Sequence, residues 1–315
     1  MVNERTHKQE ILDALGKFNE ESKLSNDKIV NDLKSKWKTP EVIYHYTNDF
    51  GVRGILETGK CWLTDIFKLN DPSELEHGIS HLIEALEAAS DSGGQTLAAH
   101  VKAFREKGLD KSAYYFVCSF SSDGDELGQW RAYADNGRGF ALGFDRKILE
   151  DAFMNDKTAN QNNATFPVTY DEAYLSRIQR ELVEELFLKI HWHSFNYLGN
   201  GAYFNNLLFP LIEHSLYRTL HFKHNAYKNE QEYRFLQIFP SNQLPPERRL
   251  RSRDYSLVGY REFDWRSVAA KALREIKIGP GADKEKAMKF VQDCLQGTGI
   301  GQIEPTVSKI PYRAL

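Results

Sequence analysis

Three cysteines in 315 residues, Cys61, Cys118 and Cys294, form no C-x-x-C pair and make an odd total. That spacing excludes a disulfide framework and a zinc knuckle, and the expected compartment is a reducing cytoplasm. No apolar run approaches the ~20 residues a membrane-spanning helix needs. The charged start MVNERTHKQE also lacks the apolar centre of a secretion signal. Basic charge is not in excess: 41 Lys and Arg face 44 Asp and Glu, a net charge of -3. A surface built throughout to hold nucleic acid is therefore excluded, although a local basic patch is not. A phosphate-cradling G-x-x-x-x-G-K-[ST], a G-x-G-x-x-G after a strand, a G-x-S-x-G elbow and an H-E-x-x-H are all missing. Internal repeats and low-complexity tracts are absent as well.

What remains is ordinary globular composition, 41% hydrophobic and 27% charged, enough for a packed core. The length exceeds a usual single domain, so one large domain with added helical parts is expected. Apolar residues at helical spacing from Ile11 to Trp37 predict two short amphipathic helices ahead of the main fold, ended by Pro40. A strand "EVIYHYT" follows, then a short helix closed by Gly59 and a second strand. In "NDPSEL", Asp71 is placed to cap a helix, with Pro72 at its first position and Glu74 completing a capping box. "AYYFVCSF" at 113–120 reads as a buried strand, "DELGQWRAYA" as a helix and "GRGFALGF" as another strand. The Asn-rich stretch 152–165 reads as a loop, followed by helices over 172–196 and 203–222. "EYRFLQIF" at 232–239 is a late strand and "PPERRLRSRD" a basic loop. "IKIGPG" is a last strand before a C-terminal helix. The class is α+β, with residues 1–40 as an N-terminal helical extension and 41–315 as a domain carrying a helical insertion at about 170–222.

Three stretches carry polar residues in patterns that packing alone does not require. His45 sits beside Tyr46 and Thr47 where a strand runs into a loop, and its imidazole and the threonine hydroxyl suit a ribose or phosphate. A satisfied strand histidine is the commoner explanation of such a residue. Ser119 and Ser121 alternate on one strand face. Trp130 and Tyr133, three apart on a helix, share a face suited to a flat, amide-bearing ring, and equally to a core. Glu230 and Glu232 alternate where a loop becomes a strand, with Arg234 as the structural partner. Among the histidines, His191 and His193 point to different sides of a helix. His221, His224 and Glu230 form the one metal-like grouping, a candidate nuclease centre that EDTA would disable. Arg248, Arg249, Arg251 and Arg253 in the basic loop are candidate phosphate contacts of a nucleic-acid acceptor.

In order, "YHYT", "NDPSE", "SFS" with "W..YA...G.GFALGF", and "NEQEYRF" resemble a bacterial family of unknown function over about residues 41–280. The same order resembles the ADP-ribosyltransferase superfamily, and within it the branch that pairs a strand histidine, a helix tyrosine and a late glutamate. The resemblance implies a split β-sheet and NAD as substrate, with no metal. It implies that His45, with Tyr46 and Thr47 beside it, holds the adenosine-side ribose, and that Ser121 or Ser119 bonds the nicotinamide amide. Tyr133 or Trp130 would stack on the nicotinamide ring. Glu232 would be the catalytic carboxylate, with Glu230 positioning the acceptor. Phe120 departs from the superfamily's middle hydroxyl, and the long helical stretch before the glutamates is a second departure. The bacterial setting implies a cytoplasmic toxin or antiviral-defence effector, with RNA or DNA ahead of protein as acceptor and an antitoxin as a further partner. An NAD glycohydrolase, an RNA 2′-phosphotransferase and a catalytically silent sensor of the same fold are the alternatives.

Overall fold

In a computed structural model, the chain is a mixed α/β fold built on one ten-stranded, mostly antiparallel sheet. The structure describes residues 2–37, 40–69, 73–90, 93–156, 162–190, 201–240, 244–253 and 255–312. Asp71, Pro72, His191 and His193 lie outside the described residues.

Strands β1 (Val42–Thr47), β2 (Lys60–Asp65) and β3 (Ala113–Ser121) form the middle of the sheet. Between the first two runs helix α2 (Asp49–Thr58), capped by the Asn48 side chain on the amide of Gly51 and stopped by Gly59 at φ 71°. Helices α3 (Ser73–Ala88) and α4 (Gly93–Lys107) lead into β3. Helix α5 (Leu127–Tyr133), strand β4 (Phe140–Asp145), helix α6 (Arg146–Met154) and strand β5 (Asn162–Pro167) come next. Helices α7 (Glu172–Lys189) and α8 (Gly201–Thr219) precede β6 (Glu232–Pro240). β7 (Arg249–Arg253), β8 (Ser256–Asp264), the short α9 (Trp265–Ala269), β9 (Leu273–Ile278), α10 (Lys284–Leu295) and β10 (Thr306–Val307) complete the chain.

The sheet forks at β3. One edge of β3 pairs with β6 along its whole length, from Ala113↔Pro240 to Ser121↔Glu232. The other meets β2 only at Val117 and Phe116, and β1 only at Ser121. From Cys118 to Phe120 this edge has no strand neighbour. One wing then runs β1, β4, β9, β10 and the other β2, β8, β7. A large aromatic cluster fills one face, with Phe120, Phe144, Phe153, Phe235 and Trp265 in mutual contact. A second cluster joins α3, α4, α7 and α8 to the other face.

Several expectations are corrected. The N-terminal segment is one helix, α1 (Val2–Lys36), not two. It is tied to α7 and α8 by Ile11, Leu15 and Phe18 and by a buried polar network. In that network His214 meets Asn19 and Asn26, and Arg218 donates to Asn26, Ser25, Glu185 and the Ile178 carbonyl. Burial next to Arg218 pushes His214 down to about 3, so this network holds a neutral imidazole. The Asn-rich stretch ends in strand β5, paired with β6 throughout. The basic loop is edge strand β7, a hairpin partner of β8, and a strand pair β9–β10 rather than a lone last strand closes the far wing.

Candidate active site

A cavity of about 320 Å³ lies at the fork, lined by β1, β2, β3, β7, α3, α5 and the segment from Lys223 to Arg234. His45, Tyr46, Ser119, Ser121, Tyr133, Glu230, Glu232 and Arg251 all reach it, although they come from segments far apart in the chain.

His45 is placed by the missing strand pairing. The Ser119 carbonyl, on the open edge of β3, is met by His45 Nδ1 at 3.0 Å instead of by a neighbouring backbone amide. A carbonyl only accepts, so Nδ1 carries the proton and Nε2 is the ring's second polar atom. The Cys118 sulfur lies 4.0 Å from Nδ1. Burial works to lower His45, but Cys118 and the Ser119 carbonyl together outweigh it and the net direction is upward. Hydrogen bonding from Cys61, with His45 beside it, brings the Cys118 thiol down to about 5 against the effect of burial. Cys118 was not singled out from the sequence, where scattered cysteines carry no signal.

Glu232 anchors the opposite wall. Its carboxylate accepts from Ser119 Oγ at 2.6 Å, from Arg234 Nε at 2.8 Å and from Lys223 Nζ at 3.2 Å. The Tyr170 hydroxyl accepts its backbone N–H. Burial opposes ionisation, but Arg234 and Lys223 overcome it and hold the carboxyl far below the usual range. Glu74, in the first turn of α3, receives Arg234 Nη2 at 2.7 Å and lies 3.4 Å from Lys223 Nζ. With Glu230, which Lys223 also bonds, the cluster counts three carboxylates against two cations. Lys223 and Glu74 were not foreseen: one sits in a stretch read for its histidines, the other in a capping box.

Glu230 stands in a tight turn before the strand, separated from β6 by Gln231 at φ 45°. Strand alternation therefore does not bring the two glutamates together; Lys223 does, bonding Glu230 at 2.5 Å and Glu232 on its other side. The Tyr133 hydroxyl donates to Glu230 at 2.9 Å, and the tyrosine is 38% exposed. Ser119 gives its proton to Glu232, whereas Ser121 is buried and its oxygen caps the Asp123 amide.

Other candidates fall elsewhere. Trp130 is fully buried, edge-on to Tyr46 at 4.8 Å with its N–H on Asp125, so core packing accounts for it and it does not line the cavity. Tyr46 donates to the Asp123 carbonyl and contributes a wall. Thr47 does not line the cavity. Arg249 pairs with Glu262 at 3.1 Å, and Arg248 lies over Gly259. Arg251 instead stands over the Trp62 ring, bonded to Thr64, with its Nε buried and unpartnered. His221 is buried against Phe166, pushed down to about 3 by that burial, while His224 is exposed and caps a turn. Among the described residues these two and Glu230 form no metal-ligating group. No helix among the described residues is long and apolar enough to cross a membrane.

No curated protein and no solved structure matches the chain. Residues 129–235 match the family described as "Protein of unknown function (DUF2971)", a stretch that carries Tyr133, Lys223, Glu230 and Glu232 but neither His45 nor Ser119.

Proposed function

We propose that the chain is an NAD-consuming ADP-ribosyltransferase that modifies a macromolecule, with the fork in the sheet serving as its NAD site. One observation carries this reading: His45, Tyr133 and Glu232 line a single cavity, with Glu232 fixed as an ionised carboxylate. A cavity of about 320 Å³ is at the lower end of ligand pockets, which run from about 300 to 1,000 Å³. It suits the nicotinamide–ribose half of NAD.

Cleaving the bond between nicotinamide and ribose develops positive charge at the sugar carbon. A carboxylate that accepts the 2-OH hydrogen bond gains strength as that charge appears. Glu232, held by Ser119 and Arg234, is pre-oriented for that part. Tyr133 supplies an exposed ring beside it, and His45 a polar atom across the cavity. The unpartnered Nε of Arg251 is a reason to place the diphosphate at β7, because a buried guanidinium nitrogen without a partner suits an anion. Nucleic acid stays ahead of protein as the acceptor, with Arg249 on the same edge strand and Arg248 just before it as the outer contacts.

The test is incubation with NAD labelled in its adenylate half, with RNA, DNA and lysate protein as separate acceptors, for wild type and Glu232→Ala. Label on one class that vanishes in the variant supports transfer. Nicotinamide release without acceptor favours an NAD glycohydrolase instead, and no NAD turnover in any arm removes the enzyme reading in favour of a silent sensor.

A further inference from the structure

Away from the cavity, α3 and the start of α7 bring three potential ligands together. His77 Nε2 and His81 Nε2 are 3.3 Å apart. Glu172 Oε1 lies 3.2 Å from the first and 3.5 Å from the second. These distances match three edges of a tetrahedral site. With zinc–ligand bonds of about 2.0–2.2 Å, neighbouring ligand atoms around a tetrahedron stand about 3.3–3.6 Å apart. The two histidines are four apart on one helix, which brings their rings edge-on to each other on one face.

With both imidazoles neutral, hydrogen bonding alone does not satisfy this triangle. His81 Nδ1 faces Ser176 Oγ at 3.1 Å and the Glu84 carboxylate at 3.5 Å. Ser176 gives its own proton to the Glu172 carbonyl, so both neighbours act as acceptors and Nδ1 carries the hydrogen. His81 Nε2 is then a lone pair aimed at a carboxylate oxygen and at a second imidazole nitrogen. A proton on His77 Nε2 settles one edge of the triangle at a time; a cation at its centre settles all three. The N–H of His81 on a hydroxyl and a carboxylate is the outer arrangement that fixes a metal-binding imidazole. His77 is seated by stacking on Phe222 at 5.6 Å. Among the described residues, Glu172 has only these two imidazoles as ion-pair partners.

We propose that His77, His81 and Glu172 bind one zinc-class divalent ion that clasps α3 to the N-terminus of α7. The two-imidazole, one-carboxylate set prefers zinc to magnesium or calcium, which take oxygen ligands. The clasp lies one turn past Glu74 and two residues past Tyr170, both of which support the Glu232 network. Its existence does not depend on the chemistry proposed for the cavity. The set is split between two helices, so no contiguous sequence motif contains it.

The test uses untagged full-length protein, stripped with chelator and titrated with zinc chloride, with magnesium chloride in parallel. One zinc per chain, a thermal midpoint that rises with zinc and not with magnesium, and a cobalt-substituted visible spectrum of tetrahedral type are expected. Glu172→Gln, at an exposed position, and His81→Ala should each weaken zinc binding at least about tenfold. Ser176→Ala should weaken it about ten- to a hundredfold through His81 alone. Failure to bind stoichiometric zinc, or unchanged binding in folded Glu172→Gln and His77→Ala proteins, overturns the proposal.

Discussion

Replacing Glu232 by Gln removes one charge and almost no volume from the most heavily bonded carboxylate of the cavity. The side chain receives hydrogen bonds from Ser119, Arg234 and Lys223. Losing a buried ionic partner outright costs about 3–5 kcal/mol when it leaves a charge uncompensated. Here Lys223 and Arg234 keep Glu74 and Glu230, so the cluster passes from one net negative charge to neutrality and no cation is stranded. The loss is then that of charge-assisted hydrogen bonds, about 1.5–3 kcal/mol, or a fall in Tm of about 2–5 °C. If the carboxylate stabilises developing charge in the reaction, the rate should fall about a hundred- to a thousandfold. Nicotinamide release measured well below Tm separates the two effects, because the variant is still folded there. A Gln variant that consumes NAD at the wild-type rate refutes the catalytic role. One that loses activity only in proportion to its unfolded fraction reduces Glu232 to a structural part. Acid stability gives an independent check. Because the folded value lies below the ordinary 4.5, the stabilisation is whole above that pH and is lost as pH falls through the folded value. Urea midpoints below about pH 4.5 should therefore fall more steeply in wild type than in Glu232→Gln.

Arg251→Ala should raise the Km for NAD about ten- to a hundredfold and weaken ADP-ribose similarly, while free nicotinamide binds as before; isothermal titration distinguishes the three. His45→Ala should lower kcat/Km without unfolding the protein, and His45→Asn should restore part of it if the bond to the Ser119 carbonyl is what positions the ring. Trp130→Phe keeps an aromatic ring in the core but removes part of the buried indole and its bond to Asp125, so a loss of about 2–4 kcal/mol by urea denaturation with unchanged NAD turnover is expected. Phe18→Ala should cost about 3–5 kcal/mol and lower the melt as one transition rather than split it, since α1 packs into the α3–α7–α8 core.

Much of this architecture was legible because local signals and global fold agree. Gly59 ends α2, apolar runs mark β1, β3 and β6, and helical periodicity marks α7 and α8. What was missed is long-range. Arg249–Arg253 reads as a solvated loop because a charged edge strand buries little, and only its pairing with β8 makes it a strand. The gap in the apolar series between Phe18 and Ile29 suggested two helices at the N-terminus, but Ile29 and Leu33 continue the same chain of contacts onto Tyr174 and Leu175. The site shows the same division. His45, Tyr133 and Glu232 stand out by type and order, while Lys223 and Glu74 acquire meaning only when α3 and the turn after α8 bring them against one carboxylate. Their spacing from Glu232 follows no helical or strand period, so no sequence pattern contains them. The His45 position carries the strongest physical lesson. A histidine inside a strand is ordinary; one that takes the carbonyl of an interrupted ladder exists because the sheet forks there. The fork in turn exposes the edge of β3 on which a ligand can lie. Closing the fork by extending β1–β3 pairing past Ser121 would satisfy the Ser119 carbonyl and abolish the cavity in one step, so the unpaired edge is the feature on which any chemistry at this site depends.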